Sequence, residues 1–522
     1  MADSPSYFQT EEFQNRSRKL AEIRTLGVEP YPHSCVTAKK IGPLLTAMEG
    51  KEVGHYDDAA AGGSEAFAIR GRLVLFRSMG KNIFAHLQDE TGRLQILCNR
   101  DLTEVTGLTP TEEVSHHKFI EKKLDLGDWI GVEGHLFRTQ KGELTLFAKR
   151  LTLLSKSLLP LPDKHSGLVD KGVRYRKRWL DLISHSDSLK VFQTRSRILT
   201  TIRRYFAEAD FLEVETPVLQ NLYGGAEARP FTTHLHALHQ EMYLRIALEI
   251  SLKKLIVGGM ERVYEIGKIF RNEGIDRTHN PEFTMLEAYA AGWDYWEMMT
   301  FTEHLFARVA LELFGDTKIR IATEGEHVVI DLTPPWKRLS MKEALITYAS
   351  LDPDRLSDEE MRTLLLQKSS ADPKRVNGAP RGTLIALCFE EFAEEFLVQP
   401  HHIIDHPIET TPLCKPHRNP ELRKAGLVER FESFILGREI CNAYSELNDP
   451  ELQRTLLVQQ AEKREKGDLE ASPLDEEFLE AICQGMPPTA GVGIGIDRLV
   501  MLFTSAESIR DILFFPITKP EE

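Results

Sequence analysis

Two hydrophobic periods divide this chain. Between Phe67 and Leu154 apolar residues recur in short alternating runs: AIRGRLVLF, NIFAHLQD, GRLQILCN, WIGVEGHLF and LTLFAKRLTLL. The turns MGK, ETG and QKG separate them. Strand side chains alternate between faces, so each run predicts a half-buried strand. Five or so such strands predict a small β-barrel. An OB-fold is the natural candidate, and a generic barrel without nucleic acid is the alternative. From residue 187 to 209 the period changes. Leu189, Phe192, Leu199, Ile202 and Phe206 recur at helical spacing, with Val191 and Ile198 beside them. This predicts a long helix, and FLEVETPVL after it predicts a strand ended by Pro217. A barrel followed by mixed helix and strand gives an α+β chain of more than one domain, as 522 residues require.

The rest of the chain fits around these two regions. Residues 8–26 predict a helix, with Phe13, Leu20 and Ile23 amid charge and with Gly27 and Pro30 stopping it. Residues 36–65, Ala/Gly-rich near AAAGGS, read as a loop. The expected domains are an N-terminal helix and barrel over 1–157, a linker over 158–186, and a larger domain over 187–522. The linker opens on LPLPD and then becomes basic, with Lys171, Arg174, Arg176, Lys177 and Arg178. That stretch is either a solvated face or a contact for a phosphate backbone. Residues 337–395 read as a charged helical insertion, with 367–382 as a loop within it.

Net charge is −14, which argues against nonspecific nucleic-acid binding but leaves room for a local basic surface. Cys35, Cys98, Cys388, Cys414, Cys441 and Cys483 are scattered without a CxxC pair, as buried reduced thiols of a cytosolic protein would be. No apolar run is long enough to span a membrane, and MADSPSYFQTEEF has no signal-peptide pattern. A soluble cytoplasmic enzyme is expected.

Three segments carry chemistry. Residues 270–287, FRNEGIDRTHNPEFTMLE, read as strand, loop and strand. In the second strand Phe283, Met285, Glu287 and Tyr289 share one face, and Arg271, Glu273 and His279 sit in the adjoining strand end and loop. Residues 491–501, GVGIGIDRLVM, read as a glycine-rich strand entering a helix, with Arg498 at the junction. Residues 437–450, GREICNAYSELNDP, place Asn442, Tyr444 and Glu446 on one face of a strand. Glu439 lies seven residues before Glu446, so a bulge or strand end must intervene if both are to serve one ion.

These segments resemble motifs 2 and 3 of the class II aminoacyl-tRNA synthetases, and the helix and strand ending at Pro217 resemble motif 1. GGAEARPF, RIALEISLKKL, FRNEGI, THNPEFT, SELNDP and GVGIGIDR together resemble the lysyl-tRNA synthetases of class II, bacterial type, from about residue 10 to about 517. The resemblance implies an antiparallel sheet flanked by helices, a homodimer, and ATP-dependent attachment of lysine to tRNA(Lys) through a lysyl-adenylate. Arg271 would bridge the amino-acid carboxylate and the α-phosphate, as a permanently charged fork can. Phe283 would stack on adenine, and Glu273, His279, Asn442 and Arg498 would contact ATP. Glu439 and Glu446 would bind Mg²⁺. Gly225 and Glu249 would hold the α-ammonium of lysine, and Arg271 and Asn442 its carboxylate. Glu287, Tyr289 and Glu446 would hold the ε-ammonium. Tyr444, where the family commonly has Phe, would flank the methylenes, Gly493 and Gly495 would lie beside lysine, and Gly491, Gly493 and Gly495 would let ligand approach the backbone. In the barrel, Phe84 and Gln95 would read the middle anticodon base. The chain departs from the family at Leu248, where Pro is usual, and at Cys441 and Ala443, where Gly is usual.

The residues also speak to rival readings. A pocket with Glu249, Glu287 and Glu446 welcomes two ammonium groups and repels an acidic side chain, which disfavours the aspartyl and asparaginyl alternative. A truncated paralogue that lysylates protein lacks a barrel. A noncatalytic nucleic-acid-binding protein has no need of Arg271, Glu273 and Arg498.

Overall fold

The computed structural model describes residues 6–35, 37–63, 65–162, 168–323, 326–368, 372–467 and 470–519. Parts of the expected 36–65 loop, the linker and the 367–382 loop therefore lie outside the described residues. The chain forms two compact units, Met1–Lys171 and Gly172–Glu522.

In the first unit, helix α1 (Glu11–Thr25) starts where the Thr10 hydroxyl accepts the Phe13 N–H at 3.3 Å. The five alternating runs form β1 (Ala66–Met79), β2 (Asn82–Gln88), β3 (Arg93–Asn99), β4 (Trp129–Arg138) and β5 (Leu144–Ser155), with α2 (His116–Lys123) between β3 and β4. They pair in the order β3-β2-β1-β4-β5. A parallel pairing of Gln95–Cys98 with Thr145–Ala148 joins β3 to β5 and closes the barrel. Ile83, Ala85, Leu87, Leu94 and Ile96 fill its interior, as the two-residue period requires. Residues 36–65 are not simply a loop. Ile41–Ala47 and Tyr56–Ala61 are short helices, and the second lays Ala59 and Tyr56 over Phe137 and Phe147 outside the barrel. Their apolar residues are too few to show a helical period.

In the second unit, α3 (Ser186–Glu208) buries Phe192, Ile198, Ile202 and Phe206 in this chain's own core. The strand expected over FLEVETPVL shrinks to β6 (Leu212–Glu213), an edge strand. Next come α4 (Glu249–Val257), β7 (Arg262–Phe270), β8 (Glu282–Ala291), α5 (Tyr295–Phe314), β9 (Lys337–Ser340), β10 (His401–Pro407), β11 (Leu427–Ile435), β12 (Arg438–Ser445), β13 (Thr489–Gly495) and α6 (Ile496–Thr504). The main sheet runs β9-β10-β11-β12-β13-β8-β7-β6. Its interior pairings are antiparallel, and only the edges β9 and β6 pair parallel. The sheet is thus mixed at its margins rather than antiparallel throughout. One face buries Leu286, Ala288, Val492, Ile494, Cys441 and Ala443 with α5 and α6.

The basic stretch before α3 is not wholly a solvated face. The Arg178 guanidinium is buried. It pairs with Asp181 at 2.7 Å and donates to the backbone carbonyls of Arg510, Leu513 and Phe514. It thereby ties this segment to the C-terminal one. Arg174 donates to Asp181 at 2.6 Å. Buried carbonyls need donors, and a five-donor fork satisfies three at once.

Candidate active site

The other sheet face is built on a glycine floor. In register, Glu287 lies opposite Gly493 and Gly493 opposite Asn442. Tyr289 lies opposite Gly491 and Gly491 opposite Tyr444. Residues directly opposite on neighbouring strands share a face. Large side chains from β8 and β12 therefore wall a trough whose base is β13. Gly491 must lack a side chain, because a Cβ there would sit 2.1 Å from Glu446 Oε1 and 2.5 Å from the Tyr289 ring. Gly495 is different, since a Cβ would meet nothing closer than 3.7 Å.

A bulge in β12 sets the other carboxylate. Cys441 pairs with Ser433, but Glu439 pairs with Phe434, so Ile440 is an extra residue. Ile440 and Cys441 both enter the core, and Glu439 and Asn442 both reach the site face.

Two adjoining cavities result. The first, of about 300 Å³, is lined by Gly225, Glu249, Arg271, Glu287, Tyr289, Asn442, Tyr444, Glu446 and Gly493. The second, of about 190 Å³, is lined by Arg271, Glu273, His279, Phe283, Glu439, Gly493, Gly495 and Arg498. Arg271 and Gly493 line both. Gly495, expected beside lysine, lies only on the second. Glu439 and Glu446, expected to share an ion, open into different cavities. Among the described residues no three His, Cys, Asp or Glu side chains converge as a metal cluster.

In the second cavity the guanidinium of Arg271 lies 5.3 Å from the Phe283 ring centroid, and its Nε donates to Ile246 O at 3.3 Å. Arg498 donates to Glu439 Oε2 at 3.0 Å and to its carbonyl at 2.8 Å. A second Arg498 nitrogen lies 3.4 Å from His279 Nε2, and His279 Nδ1 lies 2.8 Å from Asp276. This arrangement suits the tautomer in which Nδ1 donates to the carboxylate and Nε2 accepts from the guanidinium. Asp497 anchors the Arg498 segment. It accepts from Thr284 N at 2.7 Å and from Arg195 of α3 at 2.6 Å, tying α3, β8 and α6 at one point.

In the first cavity Glu287 accepts from Leu248 N at 2.9 Å and from the Tyr289 hydroxyl at 3.1 Å. Burial, and then the Glu249 carboxylate, push the Glu287 carboxyl up to about 7. The Tyr444 hydroxyl donates to Glu249 at 2.7 Å, so this tyrosine anchors a carboxylate as well as flanking the cavity. Arg430 Nε donates to Asn442 Oδ1 at 3.0 Å.

Sequence reasoning missed Lys253. Its side chain is 0% exposed, and its ammonium pairs with Glu249 at 2.5 Å and with Glu446. Burial works against the charge, but Glu249 and Glu446 overcome it and hold the group up to about 12. The signal lay in the sequence as a Glu→Lys pair four apart on one helix. Arg430 was missed too, because nothing local marks it.

The chain is similar to known proteins along nearly its whole length. Residues 170–519 match the family described as tRNA synthetases class II (D, K and N), and residues 67–154 match the OB-fold nucleic acid binding domain. A lysine–tRNA ligase of Chlamydia felis is 51% identical over 522 residues, covering 99% of each chain. That of Chlamydia caviae is 53% identical, covering 98% of this chain and 97% of its own. That of Nostoc punctiforme is 45% identical, covering 97% and 87%. The chain belongs to the lysine–tRNA ligase family. Its barrel is the OB-fold of that class II family, and the glycine-floored trough lies on the family's synthetase domain. The aspartyl and asparaginyl alternative is not favoured.

The positions expected to read the anticodon lie on the outer face of the OB-fold. Phe84 is half-buried against Leu97, Phe137 and Phe147 rather than free. Gln95 accepts from Thr145 at 3.0 Å and lines a cavity with His86, Arg93 and Glu143. All six cysteines are free, though Cys483 is exposed and Cys35 only half-buried. Among the described residues no helix is long and apolar enough to cross a membrane.

Proposed function

We propose that this protein activates lysine with ATP and transfers the lysyl group to tRNA(Lys). One observation carries the reading. Three buried carboxylates, Glu249, Glu287 and Glu446, and the Tyr289 phenol line a cavity that Arg271 shares with the adjoining one. Such a cavity takes a substrate with two ammonium groups and leaves its carboxylate at the guanidinium. Lysine lies there with its ε-ammonium between Glu287, Tyr289 and Glu446, and its α-ammonium at Glu249 beside Gly225. Its carboxylate faces Arg271 and Asn442.

Arg271 lines both cavities, so it bridges the lysine carboxylate and the ATP α-phosphate. Adenine stacks on Phe283, and Glu273, His279 and Arg498 hold the rest of the nucleotide. A carboxylate oxygen attacks the α-phosphorus in line, the bond to the β-phosphate oxygen breaks, and pyrophosphate leaves. Arg271 stabilises charge on the α-phosphate oxygens, and no side chain forms a covalent bond. The 3′-terminal hydroxyl of tRNA then attacks the lysyl carbonyl, releasing AMP.

A hard cation fits the Glu439 side of the site. Burial and the nearby Glu439, Glu432 and Glu390 push Glu394 up to about 7, so carboxylates crowd together here although Arg498 pairs with Glu439. Oxygen donors few in number suit Mg²⁺, which keeps phosphate and water ligands. Glu439 would hold Mg²⁺ with the phosphates, where the ion supplies charge neutralisation. Glu446 is committed to Lys253 and the lysine cavity.

Phe84 and Gln95 read the middle anticodon base. A homodimer is part of the proposal. The apolar face of α3 is already buried in this chain, so the dimer uses exposed residues after it, such as Leu212, Leu219 and Leu222. A cytoplasmic location fits six free cysteines. The test is charging: purified protein with ATP and Mg²⁺ should load lysine onto tRNA with a UUU-type anticodon. Failure to form lysyl-tRNA under those conditions would overturn the reading.

A further inference from the structure

Lys253 raises a question of charge. Five carboxylates line the lysine cavity, and three of them, Glu249, Glu287 and Glu446, are buried, with the exposed Glu227 and the half-buried Asp475 beside them; a lysine substrate brings only two ammonium groups to the buried three. Lys253 Nζ hydrogen-bonds Glu249 and pairs ionically with Glu446 at the same time, and the rings of Tyr444 and Phe478 lie 5.5 Å and 5.9 Å from it. It is fully buried and does not line the cavity, so it sits behind the carboxylates rather than in the substrate's place. The α4 backbone fixes it one turn beyond Glu249.

We propose that Lys253 is a specificity-setting positioning residue: a resident cation that cancels one carboxylate and aims Glu249 and Glu446 at the two ammonium groups of the substrate. Three carboxylates with one ammonium leave two negative charges, matched by the α- and ε-ammonium. Arg271 then matches the substrate carboxylate and Arg430 is paired with Glu432, so the buried end of the pocket closes neutral with its ligand. Without Lys253 one carboxylate is uncompensated in a dry site. It then has to take a proton or a solvent cation, and Glu249 and Glu446 are free to turn away. A shorter diamino acid cannot span two carboxylates held this way, so ornithine should be discriminated through the same residue.

This inference rests on the lysine reading, and its test separates the two. Lysine-dependent ATP–pyrophosphate exchange is measured for wild type, Lys253→Met, Glu249→Gln and the double variant. Wild type without lysine-dependent exchange would sink the function itself. Given an active wild type, Lys253→Met should raise KM for lysine about 10- to 100-fold, with kcat and KM for ATP within about threefold, since the lost interaction serves ground-state binding of lysine. Its preference for lysine over ornithine should narrow by about tenfold. The decisive arm is a change of sign. In the Glu249→Gln background only two of the three buried carboxylates, Glu287 and Glu446, remain, so Lys253 is then one cation too many. Adding Lys253→Met there should leave KM for lysine unchanged or lower it. A merely structural lysine would instead multiply the two losses, about tenfold or more beyond Glu249→Gln alone, and that outcome overturns the proposal. So does a Lys253→Met enzyme with wild-type KM for lysine. Should Lys253→Met fail to fold alone, the comparison of the double variant with Glu249→Gln still decides.

Discussion

Leu248 shows how much a single residue sets in this site. Its N–H donates to Glu287, and a proline in its place would have no N–H to give. Glu287 titrates near 7 in the empty pocket, and only its ionised form attracts an ammonium. KM for lysine should therefore fall about tenfold per unit as pH rises toward 7 and level off above it. A KM flat from pH 6 to 8.5 would contradict this. The linkage to stability has a definite sign. The folded pKa is raised from 4.5 to about 7, so the folded state holds the proton more tightly, and the lysine-free protein loses stability as pH rises between those values. Leu248→Pro should move the KM inflection to higher pH and weaken lysine binding about 3- to 10-fold at pH 7, because a charged hydrogen bond is lost. An unmoved inflection would show that the backbone donor does not matter. Most residues that line the first cavity were legible in the sequence, because strand alternation and motif spacing place Glu287, Tyr289, Asn442 and Tyr444 together. Lys253 and Arg430 were not, since a buried cation becomes meaningful only once its partners from distant elements are known.

Among elements, β13 matters most, because its lack of side chains makes the cavity. Gly491→Ala should raise KM for lysine about 10- to 100-fold through overpacking against Glu446 and Tyr289. Gly495→Ala, with nothing closer than 3.7 Å, should cost at least tenfold less in the same exchange assay. Equal effects would mean that the floor is not the constraint. The barrel strands were readable because one face of each is buried. The 36–65 helices were not, because they are short and cover the barrel's outside rather than a periodic core. Over FLEVETPVL the sequence overstates the strand: Phe211 is buried in the core, but Leu212 is 54% exposed and Leu219 45%, so the apolar run does not mark one half-buried strand. The bulge at Ile440 was foreseeable only as a need to bring Glu439 to the face of Asn442.

At the scale of the molecule, the two units have separable tasks. The cavities around Glu287 are lined entirely by the second unit, and Phe84 belongs to the first. Phe84→Ala should leave lysine activation within about threefold of wild type while lowering charging of tRNA by roughly 1–3 kcal/mol in transition-state terms, the worth of one base stack. If the variant and wild type discriminate equally between tRNAs differing in the middle anticodon base, Phe84 serves only to pack against Leu97, Phe137 and Phe147. Light scattering should give a particle of about twice 59.4 kDa, and Leu212→Glu with Leu219→Glu should shift it toward the monomer. A wild-type monomer with full activity would remove the dimer from the account. The central claim is that Glu249, Glu287, Glu446 and Tyr289 choose the amino acid. The most direct measurement is ATP–pyrophosphate exchange with each standard amino acid in turn. Lysine alone should support it, and exchange driven by aspartate or asparagine in lysine's place would contradict the account.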